Sequence, residues 1–89
     1  MARVPKTIEL EEAIICGSKE IKEVTMRVPK GKDLKAVSHI ANTVERDLTL
    51  VSNLCGLNMT FEEWDEVDAA EIQLLTGVLR SFLLYTPKN

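Results

Sequence analysis

His39 is the one side chain whose ordinary pKa lies near neutrality, so acid–base or nucleophilic chemistry is sought there first. No Ser, Cys or carboxylate is tied to it by a recognisable motif, and Lys35 stands one helical turn before it, the pattern of a solvated helix histidine. Cys16 and Cys55 are far apart in sequence, and with His39 they make too few soft ligands for a structural zinc site, which takes four in paired spacing. Each cysteine reads as a small core residue with a reduced thiol. The carboxylates Glu62, Glu63, Asp65, Glu66, Asp68 and Glu71 crowd together but lack the Asx-rich loop and central glycine of an EF-hand. Two successive helix starts account for them, since negative charge favours the positive end of a helix dipole, and a charged docking surface is the second reading. Arg27, Lys30, Lys32 and Lys35 form a small basic patch without aromatic interleaving. No phosphate loop or triad is present, so no catalytic, cofactor-binding or metal-binding residue is assigned and the chain is not read as an enzyme.

The elements that hold these residues form one small domain, residues 1–89, of α+β class. Apolar residues make up 45% of the chain and charged residues 28%, enough of each for a folded, soluble unit. Aromatics are only 4%, which leaves an aliphatic core and no row of rings for stacking bases. A net charge of −3 argues against a sequence-independent hold on phosphates. The charge is uneven: residues 1–41 hold eight Lys or Arg against six Asp or Glu, and residues 42–89 hold three against eight. Glu9, Glu11 and Glu12 interrupt any signal-peptide run, and the expected location is cytosolic.

Residues 7–28 read as an antiparallel β-hairpin. Thr7 to Glu11 and Val24 to Val28 alternate polar and apolar, and Gly17-Ser18 supplies the turn. Placing residue i opposite 36 minus i sets Ile8 against Val28, Leu10 against Met26 and Glu9 against Arg27. It also sets Ile15 against Ile21 on the outer face, which calls either for a bulge near Glu12 or for a tip that docks on something else. A two-stranded hairpin is marginal alone, so it must pack on the helical part, residues 31–85. Three or four helices are expected there. The first opens at Gly31 with Leu34, Val37, Ile40 and Ala41 on one face. The second is capped at Asn42, carries the stripe Val44, Leu48, Val51 and Leu54, and stops at Gly56. Thr60-Phe61-Glu62-Glu63 reads as another capping box that opens a short turn, and Asp68-Ala69-Ala70-Glu71 repeats the signal. The last and most apolar helix runs from Ala69 to about Leu84, with the stripe Ile72, Leu75, Leu79 and Phe82 widened by Leu74, Val78 and Leu83. It is expected to be nearly surrounded and central, and Thr86-Pro87 ends it.

The order of these features resembles the tail assembly chaperones of contractile-tailed, Mu-like bacteriophages and their relatives, from about Thr7 to Leu84. The resemblance is carried by Thr7-Ile8-Glu9-Leu10, by Ile14 to Gly17, by Val24-x-x-Arg27-x-Pro29 followed by Asp33-Leu34, by Gly56 before Met59-Thr60-Phe61, and by Val67 to Ala70 leading into Ser81-Phe82-Leu83. Cys16, Cys55 and Trp64 depart from the pattern. The resemblance implies a non-enzymatic role in the host cytoplasm, outside the mature virion: binding the tape measure protein and aiding tail-tube assembly. It also implies a longer product made by frameshifting near Phe82-Leu83. Leu74, Val78 and Leu83 on the last helix and Ile15 and Ile21 at the hairpin tip are the candidate partner-binding residues. A free hairpin edge and a wide apolar helix would also permit a homo-oligomer. The runner-up is a small regulatory or antitoxin-like DNA-binding protein using Arg27, Lys30, Lys32 and Lys35 on phosphates.

Overall fold

The computed structural model describes residues 4–83. Two antiparallel strands, β1 (Lys6–Cys16) and β2 (Lys19–Met26), are followed by α1 (Gly31–Val37), α2 (Thr43–Cys55), a 3-10 helix (Glu62–Glu66) and α3 (Ala69–Leu83). This is the expected α+β plan, a hairpin on three α-helices with a 3-10 turn as the fourth helical piece.

The register differs from 36 minus i. Gly17, in the left-handed region at φ 66°, and Ser18 close a two-residue turn, so Cys16 faces Lys19, Ile15 faces Glu20 and Ile14 faces Ile21. Beyond a break the pairs are Glu9 with Glu23, Ile8 with Val24 and Lys6 with Met26. Leu10 to Ala13 therefore stand against Lys22 alone, an excess of three residues in β1. That bulge lets Ile8, Leu10 and Ile14 of β1 be buried together with Val24 and Met26 of β2. Ile15 does not meet Ile21: it lies on the outer face, while Ile21 packs against the core. Nor does Glu9 meet Arg27. β2 ends at Met26, and the Arg27 amide donates instead to the Leu54 carbonyl of α2 at 3.2 Å.

The bulge leaves backbone donors without ladder partners, and a distant carboxylate takes them. Glu71 Oε1 accepts from the amides of Glu11 and Glu12 at 3.2 and 3.3 Å. Glu71 is buried and fixes the start of α3 to the kink of β1. At the α3 start the expected box is thus only half formed: Asp68 Oδ1 accepts from the Ala70 amide at 2.9 Å, and Glu71 turns to the strand.

α1 is rotated from its expected face. Asp33 and Val37 are buried one turn apart, and Leu34 is exposed. The cause is Arg27, whose guanidinium grips Asp33 with two hydrogen bonds of 2.8 and 2.7 Å, while the Lys30 amide donates to Asp33 Oδ2 at 2.8 Å. α2 begins as expected, with Asn42 Oδ1 accepting from the Glu45 amide at 2.9 Å, and it ends at Gly56 with φ 69°. Leu48, Leu50, Val51 and Leu54 are buried, but Val44 points outward. Ser52 is buried too, and its hydroxyl accepts from the Met59 amide at 2.7 Å, holding the loop after Gly56. The Thr60 to Glu63 box is complete: Glu63 Oε1 accepts from the Thr60 amide at 2.8 Å and Thr60 Oγ1 from the Glu63 amide at 3.3 Å.

The middle of the fold is α2, which packs on α1, β2 and α3, and not the last helix. α3 buries Leu75, Leu79 and Phe82 against α2 and β1 and leaves its other side open, so it is not surrounded as its composition implied. Each fully buried aliphatic side chain contributes about 1.5–3 kcal/mol, enough to dominate a domain of this size. The terminator at Thr86-Pro87 lies outside the described residues.

Candidate protein-interaction surface

Successive residues of an α-helix advance by about 100°, and this separates the apolar excess of α3 into two lines on opposite shoulders of its buried stripe. Leu74 and Val78, four residues apart, lie on one shoulder; Leu74 is 44% exposed and Val78 half-buried. Ile72, Thr76 and Leu83 lie on the other, with Leu83 42% exposed. The candidates Leu74, Val78 and Leu83 therefore do not form one patch. Ile15 and Ile21 are also separated, since Ile15 points away from the core and Ile21 towards it.

The second shoulder borders a groove between α2 and α3. Val44, Asp47 and Leu48 of α2 and Ile72, Gln73, Thr76 and Arg80 of α3 line it, and its volume is about 190 Å³. Leu48 forms an apolar floor, and Val44, 60% exposed, stands at the rim. Asp47 and Arg80, on its two sides, form an ion pair of 3.8 Å. The Thr76 hydroxyl donates to the Ile72 carbonyl at 2.9 Å. Sequence reading missed Val44, Ile72 and Thr76 as a groove, because Val44 and Ile72 fell on stripes expected to be fully buried.

Arg27, Asp33 and the two cysteines serve the fold. Arg27 beside Asp33 holds that carboxyl down at about 2, its guanidinium hydrogen bonds outweighing the opposing effect of burial. Arg27 is held protonated more firmly in return, above its usual range. This pair takes Arg27 from the basic patch, whose other members, Lys30, Lys32 and Lys35, remain exposed on α1 and just before it. Burial pushes the Cys55 thiol up to about 11. The Cys16 thiol donates to the Leu57 carbonyl at 3.1 Å, so each cysteine is part of the packing around the hairpin tip and the end of α2. His39 is exposed in the turn after α1. Among the described residues no helix is long and apolar enough to cross a membrane.

Residues 7–84 match the family model described as phage tail assembly chaperone proteins, E, or 41 or 14. The chain belongs to the phage tail assembly chaperone family. The match spans β2, every helix and all of β1 except Lys6. No curated protein and no solved structure matches the chain. A chaperone family suggests assembly in place of catalysis. Within this chaperone, two residues of the run that carries the resemblance, Arg27 and Asp33, make a half-buried staple between hairpin and α1. The family-like pattern there marks a joint of the fold.

Proposed function

We propose that this chaperone binds the tape measure protein of a contractile-tailed, Mu-like phage in the host cytoplasm and helps tail-tube subunits assemble on it. The family match over residues 7–84 carries this reading. The exposed apolar side chains of α3 and the α2–α3 groove support it, because a long helical protein held soluble needs an apolar surface to lie against, flanked by charge that keeps the complex in solution. In this role the chaperone leaves before the virion is complete, a frameshifted longer form acts beside it, and copies of the chain associate during assembly. Leu74, Val78, Leu83, Ile15 and Ile21 remain proposed contacts.

Deletion of the gene from its phage tests the reading. Lysates are expected to contain heads without tails in electron micrographs, with tails restored when the chaperone is supplied in trans. Normal tails in the deletion would refute it. If the purified protein were instead retained on DNA with a steep loss of affinity as salt rises, the DNA-binding alternative would hold.

A further inference from the structure

β2 is an edge strand: the sheet has two strands, and among the described residues no backbone hydrogen bond joins Lys19–Met26 to anything except β1. Alternation of the ladder, from the pair of Cys16 and Lys19 that closes the turn, directs the amides and carbonyls of Glu20 and Lys22 to the open side. Such an edge is a template for a further strand. β1 offers less, because Glu71 already takes the amides of Glu11 and Glu12, and the charged residues of β1 after Lys6 are all acidic.

Charge decides which strand fits. Lys19-Glu20-Ile21-Lys22-Glu23 is antisymmetric about Ile21: each charge before it is matched by the opposite charge at the same distance after it. All four charged side chains are exposed, and Glu20 and Lys22 stand 3.9 Å apart, 62% and 72% exposed. When a second copy of β2 lies antiparallel along the edge with Ile21 opposite Ile21, Lys19 meets Glu23 of the second copy and Glu20 meets Lys22 of the second copy. The two-fold axis repeats both, so four pairs of opposite charge stand directly across the joint. A slip of one residue sets Lys19 against Lys22 or Glu20 against Glu23, and a slip of two sets Glu20 or Lys22 against itself. Each of these registers opposes like charges, which is destabilising. Charges along an edge ordinarily keep copies apart. In this order they admit a second copy in one register, and an unrelated strand would need the same order of charges to match.

We infer that β2 is the edge through which the chain pairs with itself: two copies join antiparallel along residues 19–23, about a two-fold axis at Ile21, into one four-stranded sheet. The inference rests on the chaperone reading for the role of the dimer in assembly, and on the strand alone for its geometry. Analytical ultracentrifugation of the full chain from micromolar to millimolar concentration should show a monomer–dimer equilibrium. The amides of Glu20 and Lys22 should exchange with solvent more slowly as concentration rises. Glu20→Lys and Lys22→Glu each turn two of the four pairs into like charges, so each should weaken the dimer at least about tenfold while melting like the parent. Mixed in equal amounts, these two variants regain all four pairs and should dimerise as the parent does. The double variant carrying both substitutions is again antisymmetric and should also recover. A chain that stays monomeric at millimolar concentration, a dimer indifferent to both single variants, or a mixture no better associated than either variant alone would each overturn the inference. Co-purification with the tape measure protein separates the two levels. Retention of tape measure protein by a parent that is monomeric defeats the edge and leaves the chaperone reading; the full pattern of weakening and rescue without retention of tape measure protein defeats that reading and leaves the edge.

Discussion

Replacing Asp33 by alanine removes three hydrogen bonds at once, two to the Arg27 guanidinium and one to the Lys30 amide, and so unpins α1 from the hairpin. The carboxyl titrates at about 2 instead of 3.8. One pH unit is worth about 1.36 kcal/mol, so the charged form is favoured in the fold by about 2 kcal/mol. Asp33 has a side chain only 6% exposed, so solvent screens this little, although the 45% exposure of Arg27 makes the figure an upper one. The depression already includes the hydrogen bond from the Lys30 amide. The expected loss for Asp33→Ala is therefore about 2 kcal/mol at pH 7, from a total on the order of 5–15 kcal/mol. For a domain of this length that lowers the melting temperature by roughly 8–16 °C. Because the folded carboxyl is depressed, its contribution is complete above the unfolded value near 4 and fades as pH falls towards 2. Urea titrations monitored by circular dichroism at pH 7, 4, 3 and 2 should show the parent losing its advantage over Asp33→Ala across that window. A difference below about 1 kcal/mol at pH 7, the value of an ordinary surface pair, would refute the staple, as would an advantage that persists unchanged at pH 2.

Glu71→Ala leaves the Glu11 and Glu12 amides of the bulge unpaired, at a cost of about 1–3 kcal/mol, and hydrogen exchange at those two amides should accelerate more than across the Ile8–Val24 pair. Leu75→Ala, at a fully buried position of α3, should cost about 2–5 kcal/mol, while Leu74→Ala on the exposed shoulder should stay within about 0.5 kcal/mol of the parent in the same denaturation assay. The Cys55 thiol, held up at about 11, should resist a thiol-specific reagent at pH 8 in the native protein and react promptly once the chain is unfolded in guanidinium.

Local signals were legible wherever neighbours in sequence decide the structure. Gly17 and Gly56 sit where the turn and the helix end require positive φ, and the cap at Asn42 and the box at Thr60 form from residues three apart. A bulge near Glu12 was legible from the parity of Ile15 and Ile21, but the register it sets was not, because its three-residue excess is held by Glu71, sixty residues from Glu11. The face of α1 was missed for a related reason. Hydrophobic periodicity placed Leu34 inside, but a bidentate guanidinium makes burial of Asp33 favourable, and one inward position cannot hold both. The apolar excess of α3 was visible in sequence, and its division into two shoulders was not. That division depends on the rotation of α3 against α2 and β1, which places Leu74 and Leu83 on opposite sides of the buried stripe formed by Leu75, Leu79 and Phe82. The cysteines followed their compositional reading as packing residues at the joint of tip and helix.

Co-expression of the chaperone with the tape measure protein of its own phage, followed by affinity purification through the chaperone and analytical ultracentrifugation of the eluate, addresses the central claim most directly. The account expects tape measure protein that is insoluble alone to become soluble and to sediment in one complex with the chaperone. Tape measure protein that remains insoluble, or that is soluble but sediments separately from the chaperone, would contradict it.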